Sequence, residues 1–362
     1  MSSLFNKGIS VSLFGESHGA GIGVVLDNLP AGENIDLEKI GLFMARRAPK
    51  KDGTSTMRNE KDIPEILSGF YNGKTTGTPL CAIIRNTDQH SKDYGNISHI
   101  ARPAHADYTG HLRYNGANDP RGGGHFSGRI TAPLVFAGAV CAQILEHRGI
   151  TTGAHIISIK DASESRFDPV SISAEQLETV KARPFPTVSE DAEKTMRDVI
   201  NQARESLDSV GGIIECAAVG FPAGVGSPMM DGLENIISQL VFAIPAVKGI
   251  EFGNGFECAA LFGSENNDAF ILNNGKIETQ TNNHGGILGG ISSGMPIIFR
   301  TAFKPTPSIS RTQKSIDFKA FTEEELIIKG RHDPCVVPRA VPCVEAAFNI
   351  ALVSALAEGM KL

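Results

Sequence analysis

Tryptophan is absent from the 362 residues, and aromatic side chains make up only 6%. A core made from this chain must therefore be aliphatic, and the 41% hydrophobic content supplies enough side chains for one. Cysteine is sparse and unpatterned: residues 81, 141, 216, 258, 335 and 343 contain no C-x-x-C spacing. Zinc knuckles and dithiol redox motifs need that spacing, so reduced thiols and no metal are expected. H-E-x-x-H is missing, and histidines 99, 105 and 111 stand six apart. No P-loop occurs, and no G-x-G-x-x-G follows a strand with an acidic residue at the right distance, so a nucleotide-phosphate loop and a Rossmann site are not expected. Excess basic charge is also lacking. The net charge is −6 and the pI near 6.0, which argues against nucleic acid and anionic membranes as partners. The N-terminus has no uninterrupted apolar core of the signal-peptide kind, and the run from Ile130 to Leu145 is too short to span a bilayer. A soluble, cytoplasmic protein is expected.

Glycine, by contrast, is plentiful at 39 residues. The most informative stretch is residues 102–139, RPAHADYTGHLRYNGANDPRGGGHFSGRITAPLVFAGA. It places His105 and His125 close to Arg102, Arg113, Arg121 and Arg129, with Gly122, Gly123 and Gly124 among them. Glycines let backbone N–H groups approach an anion, and arginine presents a planar fork that suits phosphate and carboxylate. This composition predicts a pocket for a small, strongly anionic ligand with a histidine poised to move a proton. It also suits a surface loop ahead of a core helix.

The patterning predicts mixed elements. Residues 9–14 and 23–29 alternate as strands. Asp36 caps a helix to about Ala45, and the basic residues of 49–62 form a loop. A hairpin runs through Asn72-Gly73 from Glu65 to Arg85. Residues 130–147 form a buried helix stopped by Gly149. Strands are expected at 156–160, 211–219, most of 249–262 and 296–303. Helices are expected after Ser173, Ser189 and Asp231, and from Pro342 to Glu358. The apolar face of the helix after Ser189 comprises Met196, Val199, Ile200, Ala203 and Leu207. Strands and helices come in blocks without regular alternation, which favours α+β. Residues 23–32 and 215–224 both run from an apolar strand into Pro-Ala-Gly, a faint internal echo. No linker appears, so one domain over 1–362 is expected.

Three blocks, GESHGAGIGVVLDNLP (15–30), GGGHFSGRITAPLVFAGAV (122–140) and RHDPCVVPRAVPCVEAA (331–347), resemble the chorismate synthase family. So do RPAHADYTG (102–110), NNHGGILGGISSG (282–294) and KPTPSIS (304–310). The resemblance implies a β-α-β sandwich, a helical layer between antiparallel sheets, usually in a homotetramer. It implies a lyase that converts 5-enolpyruvylshikimate 3-phosphate to chorismate by anti-1,4-elimination, the last step of the shikimate pathway. The family requires reduced FMN, which here would come from an external flavin reductase. By the same likeness His105 serves the leaving phosphate, His18 lies near the flavin ring, and Asp333 helps flavin N5 accept the substrate proton. The implied flavin contacts are His125, Phe126, Ser127, Ala246, Gly289, Lys304, Pro305, Thr306, Pro307, Ser308 and Arg331. Arg47 is the implied NADP contact. Candidates for the substrate's phosphate and carboxylates are Arg46, Arg47, Arg102, Arg121, Arg129 and Arg339. His125 stands where the family usually has arginine, Ala104 and Asn28 replace usual residues, and Gly53 stands at a usually basic position. A catalytically impaired flavin-binding relative is the alternative reading.

Overall fold

The computed structural model describes residues 3–49, 62–87, 99–328 and 332–359. Most of the basic segment expected as a loop at 49–62 lies outside these residues. The chain starts with strands β1 (Leu4–Lys7), β2 (Ile9–Gly15) and β3 (Gly21–Asp27), then helix α1 (Leu37–Arg47). Strands β4 (Pro64–Ser68), β5 (Phe70–Tyr71), β6 (Lys74–Thr75) and β7 (Leu80–Arg85) follow. Five of them form an antiparallel sheet in the order β1-β2-β3-β7-β4. Alternation decides which face is buried: Ile22, Val24 and Leu26 pair across the sheet with Ile84, Ala82 and Leu80, and all six are buried. Asp36 caps α1 as its side chain accepts from Glu38 N at 2.8 Å.

Next come α2 (Asp107–Arg113), α3 (Thr131–Glu146), β8 (Thr151–Ile159), β9 (Ala162–Ser163), α4 (Ala174–Ala182) and α5 (Glu190–Glu205). The last third holds β10 (Gly212–Val219), α6 (Leu233–Phe242), β11 (Val247–Phe252), α7 (Gly263–Asn266), β12 (Phe270–Asn273) and β13 (Lys276–Thr279). It closes with β14 (Ile287–Leu288), β15 (Ile291–Ser292), β16 (Ile297–Phe303), β17 (Gln313–Asp317), β18 (Thr322–Leu326) and α8 (Val337–Glu358). The second antiparallel sheet runs β11-β16-β10-β8-β9. The Pro-Ala-Gly echo falls just after β3 and β10, each the middle strand of its sheet.

Helices α1, α3, α6 and α8 lie between the sheets. α3 touches β2, β3 and β7 on one side and β8 on the other, and α8 touches β1, β2, β8 and β10. The expected α+β sandwich with a central helical layer is what the structure has. α3 and α8 meet closely at Gly138, where an added Cβ would lie 2.2 Å from Ala346 Cα. The two helices Gly128–Glu146 and Val337–Glu358 are long and apolar enough to cross a membrane, yet 83% and 94% of their apolar windows are buried inside the protein. Their apolar surface is used up by facing two sheets at once. All six cysteines are free.

Several local expectations are corrected. α8 begins at Val337, not Pro342; Pro338 occupies its first turn, and Pro342 sits inside the helix. Residues 255–260 form a 3₁₀ turn instead of strand, because Gly253 and Gly255 take φ of 54° and 57° and the Glu251 side chain accepts from Phe256 N at 3.1 Å. Asp231 does not cap α6: Gly232 is its N-cap, and Asp231 pairs with Lys7. Leu207 lies beyond the end of α5 and is exposed, while Met196, Ile200 and Ala203 are buried as expected.

Candidate active site

One cleft of roughly 640 Å³ opens at the end of the helical layer, between the 102–131 stretch, the α6–β11 connection, the segment after β16 and the start of α8. Its volume lies within the ~300–1,000 Å³ usual for small-molecule sites. Gly122, the first of the triple glycine, forms part of one wall. Gly122, Gly123 and Gly124 take φ of 60°, 102° and 54°, a run that only glycine adopts without strain. A Cβ at Gly122 would lie 2.1 Å from His18 Cε1. The chain thus passes directly over the His18 imidazole, which is buried behind this wall. Ser17 Oγ lies 3.1 Å from His18 Nδ1, and the Ser17 N–H donates to Gly124 O at 3.1 Å, which ties the first sheet to the glycine turn.

His105 lines the cleft on the loop before α2. Its Nδ1 is 2.7 Å from Asp107 Oδ1. Asp107 also receives Arg102 Nε at 2.7 Å, Arg102 Nη2 at 2.6 Å and the Arg102 backbone N–H at 2.9 Å. Burial alone would raise the Asp107 pKa, but the bonds from Arg102 and His105 outweigh it and hold the carboxyl well below the usual range. A Cβ on Gly123 would lie 3.2 Å from both His105 Cε1 and Nε2, so that edge of the ring abuts the glycine turn.

Opposite, three arginines from distant segments converge. Arg339 donates to Asp333 Oδ2 at 2.6 Å and to Arg47 O at 3.0 Å. Arg47 Nη2 is 3.0 Å from Asp62 Oδ2, and Arg129 pairs with the other Asp62 oxygen. Among the described residues three guanidiniums face two carboxylates, an excess of one positive charge in a protein of net charge −6. Arg47 is 2% exposed; among the described residues its Nε has no hydrogen-bond partner, and its Nη2 has only the ion-pair contact with Asp62. Burial lowers its pKa, Asp62 opposes that, and Arg339 and Arg129 add to it. Buried donors left without acceptors are costly, and an anion in the cleft would satisfy them.

Of the expected flavin contacts, His125, Phe126, Ser127, Ala246, Lys304, Thr306, Pro307 and Ser308 line this cleft. Pro305 lies between two of them. Gly289 does not line it; that glycine belongs to the β14–β15 turn. Arg331 lies outside the described residues. His125 Nδ1–H donates to Gly15 O at 2.7 Å, and its Nε2 meets Ser3 Oγ. Lys304 donates to Ala104 O, next to His105; burial and then Lys248 lower its pKa. Ala104 holds a φ of 59°, unusual for a residue with a side chain.

The six expected substrate arginines divide. Arg47, Arg129 and Arg339 meet in the cleft. Arg102 lines it but is held by Asp107. Arg121 does not: it pairs with Asp119 at 2.7 Å on the surface side of the glycine turn. Arg46 does not either, because one residue further along a helix turns a side chain about a quarter-turn or more away. It instead binds Glu345 with two 2.6 Å bonds, and Glu345 also accepts from Ala154 N at 3.1 Å. Asp62, Asp107 and Lys248 were missed. Asp107 had a signal, an acid two residues after His105 in a stretch already singled out; Asp62 and Lys248 had none.

The sequence profile of the chorismate synthase family matches residues 9–357. A chorismate synthase of Lancefieldella parvula is 43% identical, with 98% of this chain and 96% of that protein covered. Those of Thermococcus gammatolerans and Pyrococcus abyssi are 44% and 45% identical, covering 96% and 95% of this chain and 95% and 94% of theirs. A crystal structure of chorismate synthase superposes with a TM-score of 0.76 at 28% identity, over 97% of this chain and 92% of that one. With the sandwich fold in place and these likenesses running nearly end to end, the chain belongs to the chorismate synthase family.

Proposed function

We propose that the protein is a chorismate-forming lyase that eliminates phosphate from 5-enolpyruvylshikimate 3-phosphate with reduced FMN bound beside it. The observation that carries the reading is the convergence of His105, Asp333, Arg47, Arg129, Arg339 and Lys304 on one cleft, with His18 directly behind its wall. The substrate carries one phosphate and two carboxylates, which suits the unsatisfied donors of Arg47 and the local positive excess.

The residues also suit a flavin. Leu134, Ile244, Val336 and Ala340 offer an apolar wall for a flat ring, and Lys248, Lys304, Thr306 and Ser308 offer polar groups for a phosphate tail. Reduced FMN, when bound, supplies electron density to the breaking allylic C–O bond. The protein's own part is binding and proton handling. As the C–O bond breaks, its electron pair leaves with the phosphate, and His105 Nε2–H can protonate the departing oxygen. The ring proton lost from the substrate forms the second half of the elimination, and Asp333 is the cleft carboxylate that can hold a proton there. Arg339, bonded to Asp333, orients that carboxylate. Arg47 lines the cleft, so a nicotinamide nucleotide phosphate on it would occupy the same space as the substrate.

Anaerobic incubation with chemically reduced FMN and the substrate tests the reading: phosphate and chorismate are expected in equal amounts, and folded protein that releases neither rejects it. The second reading, a flavin-binding relative without turnover, is favoured by His125, whose ring is tied to Gly15 and Ser3. It predicts flavin binding without phosphate release. A cytoplasmic location and an external flavin reductase belong to the same proposal.

A further inference from the structure

We propose that Asp107 is a positioning residue for His105, and that Arg102 acts through Asp107 instead of on the substrate. The inference deepens the elimination reading and rests on it. Its ground is the way three side chains share one oxygen. Asp107 Oδ1 is 2.7 Å from His105 Nδ1 and 2.6 Å from Arg102 Nη2, and those two nitrogens are 3.1 Å apart. Arginine can only donate, so the Arg102–His105 approach would be a hydrogen bond only if Nδ1 were unprotonated. The contact from Nδ1 to the carboxylate is shorter and charge-assisted. The proton therefore sits on Nδ1, and both donors converge on Oδ1.

Two consequences follow for the ring. With Nδ1–H held by Asp107, the opposite nitrogen, Nε2, is left on the ring edge beside Gly123, on a side chain that lines the cleft. The 2.7 Å bond to the carboxylate also fixes the orientation of the ring. When Nε2–H passes to the departing phosphate oxygen, the ring is left neutral in its Nδ1–H form and Asp107 remains a carboxylate. Arg102 guarantees that last point through its three bonds to Asp107, and with 6% exposure it has little surface left to meet a ligand.

Among the described residues, three further groups of charged side chains stand near His105. Lys304, from the segment after β16, donates to Ala104 O beside it. His18 stands behind Gly122. A small polar cleft of roughly 120 Å³ on the far side of Asp107 brings up His111, Asp119 and Lys319, and Asp119 is already taken by Arg121.

The test compares Asp107→Asn with the full-length wild type. The ¹⁵N NMR shifts of the His105 ring, without substrate or flavin, should report the Nδ1–H form in the wild type and a mixture of the two ring tautomers in the variant. Phosphate release should fall ~100-fold or more. Flavin affinity should be unchanged. Asp107→Glu, which keeps the charge, should restore most of the rate and the Nδ1–H form, and covers the case in which the amide variant does not fold. Arg102→Gln combined with Asp107→Asn should be no slower than Asp107→Asn alone. An unchanged tautomer in Asp107→Asn, even with a lower rate, overturns the inference, and so does a further large loss in the double variant. If the wild type releases no phosphate, the elimination reading fails, while the ring tautomer still decides whether Asp107 governs His105.

Discussion

Arg46 and Arg47 are neighbours in sequence and opposite in use. Arg46 is spent on Glu345, whose carboxylate is fully buried between α1, α8 and β8. Removing one partner of such a pair strands the other charge, so Arg46→Ala should cost ~3–5 kcal/mol in urea unfolding. Arg47 lines the cleft and keeps a buried Nε without a hydrogen-bond partner among the described residues. Arg47→Met should cost less stability and raise the KM for the substrate at least tenfold in the phosphate-release assay. His105→Ala should slow turnover by ~10²–10⁴ while flavin still binds, read by fluorescence quenching. Gly122→Ala places a methyl group into the buried His18 ring at a φ of 60° and should reduce turnover sharply and lower the melting temperature. His105, Arg129 and Asp333 were legible because each sits in a dense motif with glycine or arginine around it. The division of labour between Arg46 and Arg47 was not, since composition gives no direction to a side chain and the deciding partner, Glu345, lies 299 residues away. Gly289 was carried over by likeness, and a single chain leaves it away from the cleft.

Elements with a strong period were legible: β3 and β7 by alternation, α4 by its capping box, α5 by its apolar stripe. Elements whose limits depend on single φ angles or prolines were not, as at Gly253–Gly255 and at the start of α8. The contact of α3 with α8 sets a strict limit at Gly138. Gly138→Val should destabilise by at least ~1–3 kcal/mol, measured by urea unfolding, since the Ala346 backbone cannot give way. The second sheet holds a different device. His155, fully buried in β8, lies 2.6 Å from Glu164 and 3.0 Å from Glu215. Burial opposes its charge, but the two carboxylates outweigh burial and raise its pKa. A raised histidine pKa contributes stability that is complete below the unfolded value of about 6.5 and is lost as pH rises through the folded value. His155→Gln should therefore cost more in urea unfolding at pH 6 than at pH 9. An equal cost at both pH values would remove the imidazolium from the account.

At the scale of the whole molecule, the sandwich was legible only through the likeness to a family. Block order pointed to α+β, but nothing in local pattern shows that two sheets share one helical layer. Phe256, Phe262, Phe270 and Leu272 are 85%, 78%, 67% and 80% exposed. Large side chains left outside in such numbers mark a contact surface, and self-association, a homotetramer by the family likeness, is the proposal. Analytical ultracentrifugation of Phe262→Asp with Leu272→Asp should give a smaller species than the wild type; unchanged sedimentation would place the contact elsewhere. The position of α8 has a further effect. It touches β1 and β2 near the N-terminus and β8 and β10 in the middle of the chain, and Ser354 donates to Lys7 O, yet it follows all four strands in sequence. Until it arrives, the early strands hold an apolar face with only part of its cover. Folding of the nascent chain is thus gated by α8, and synthesis stalled before residue 337 should leave a protease-sensitive species.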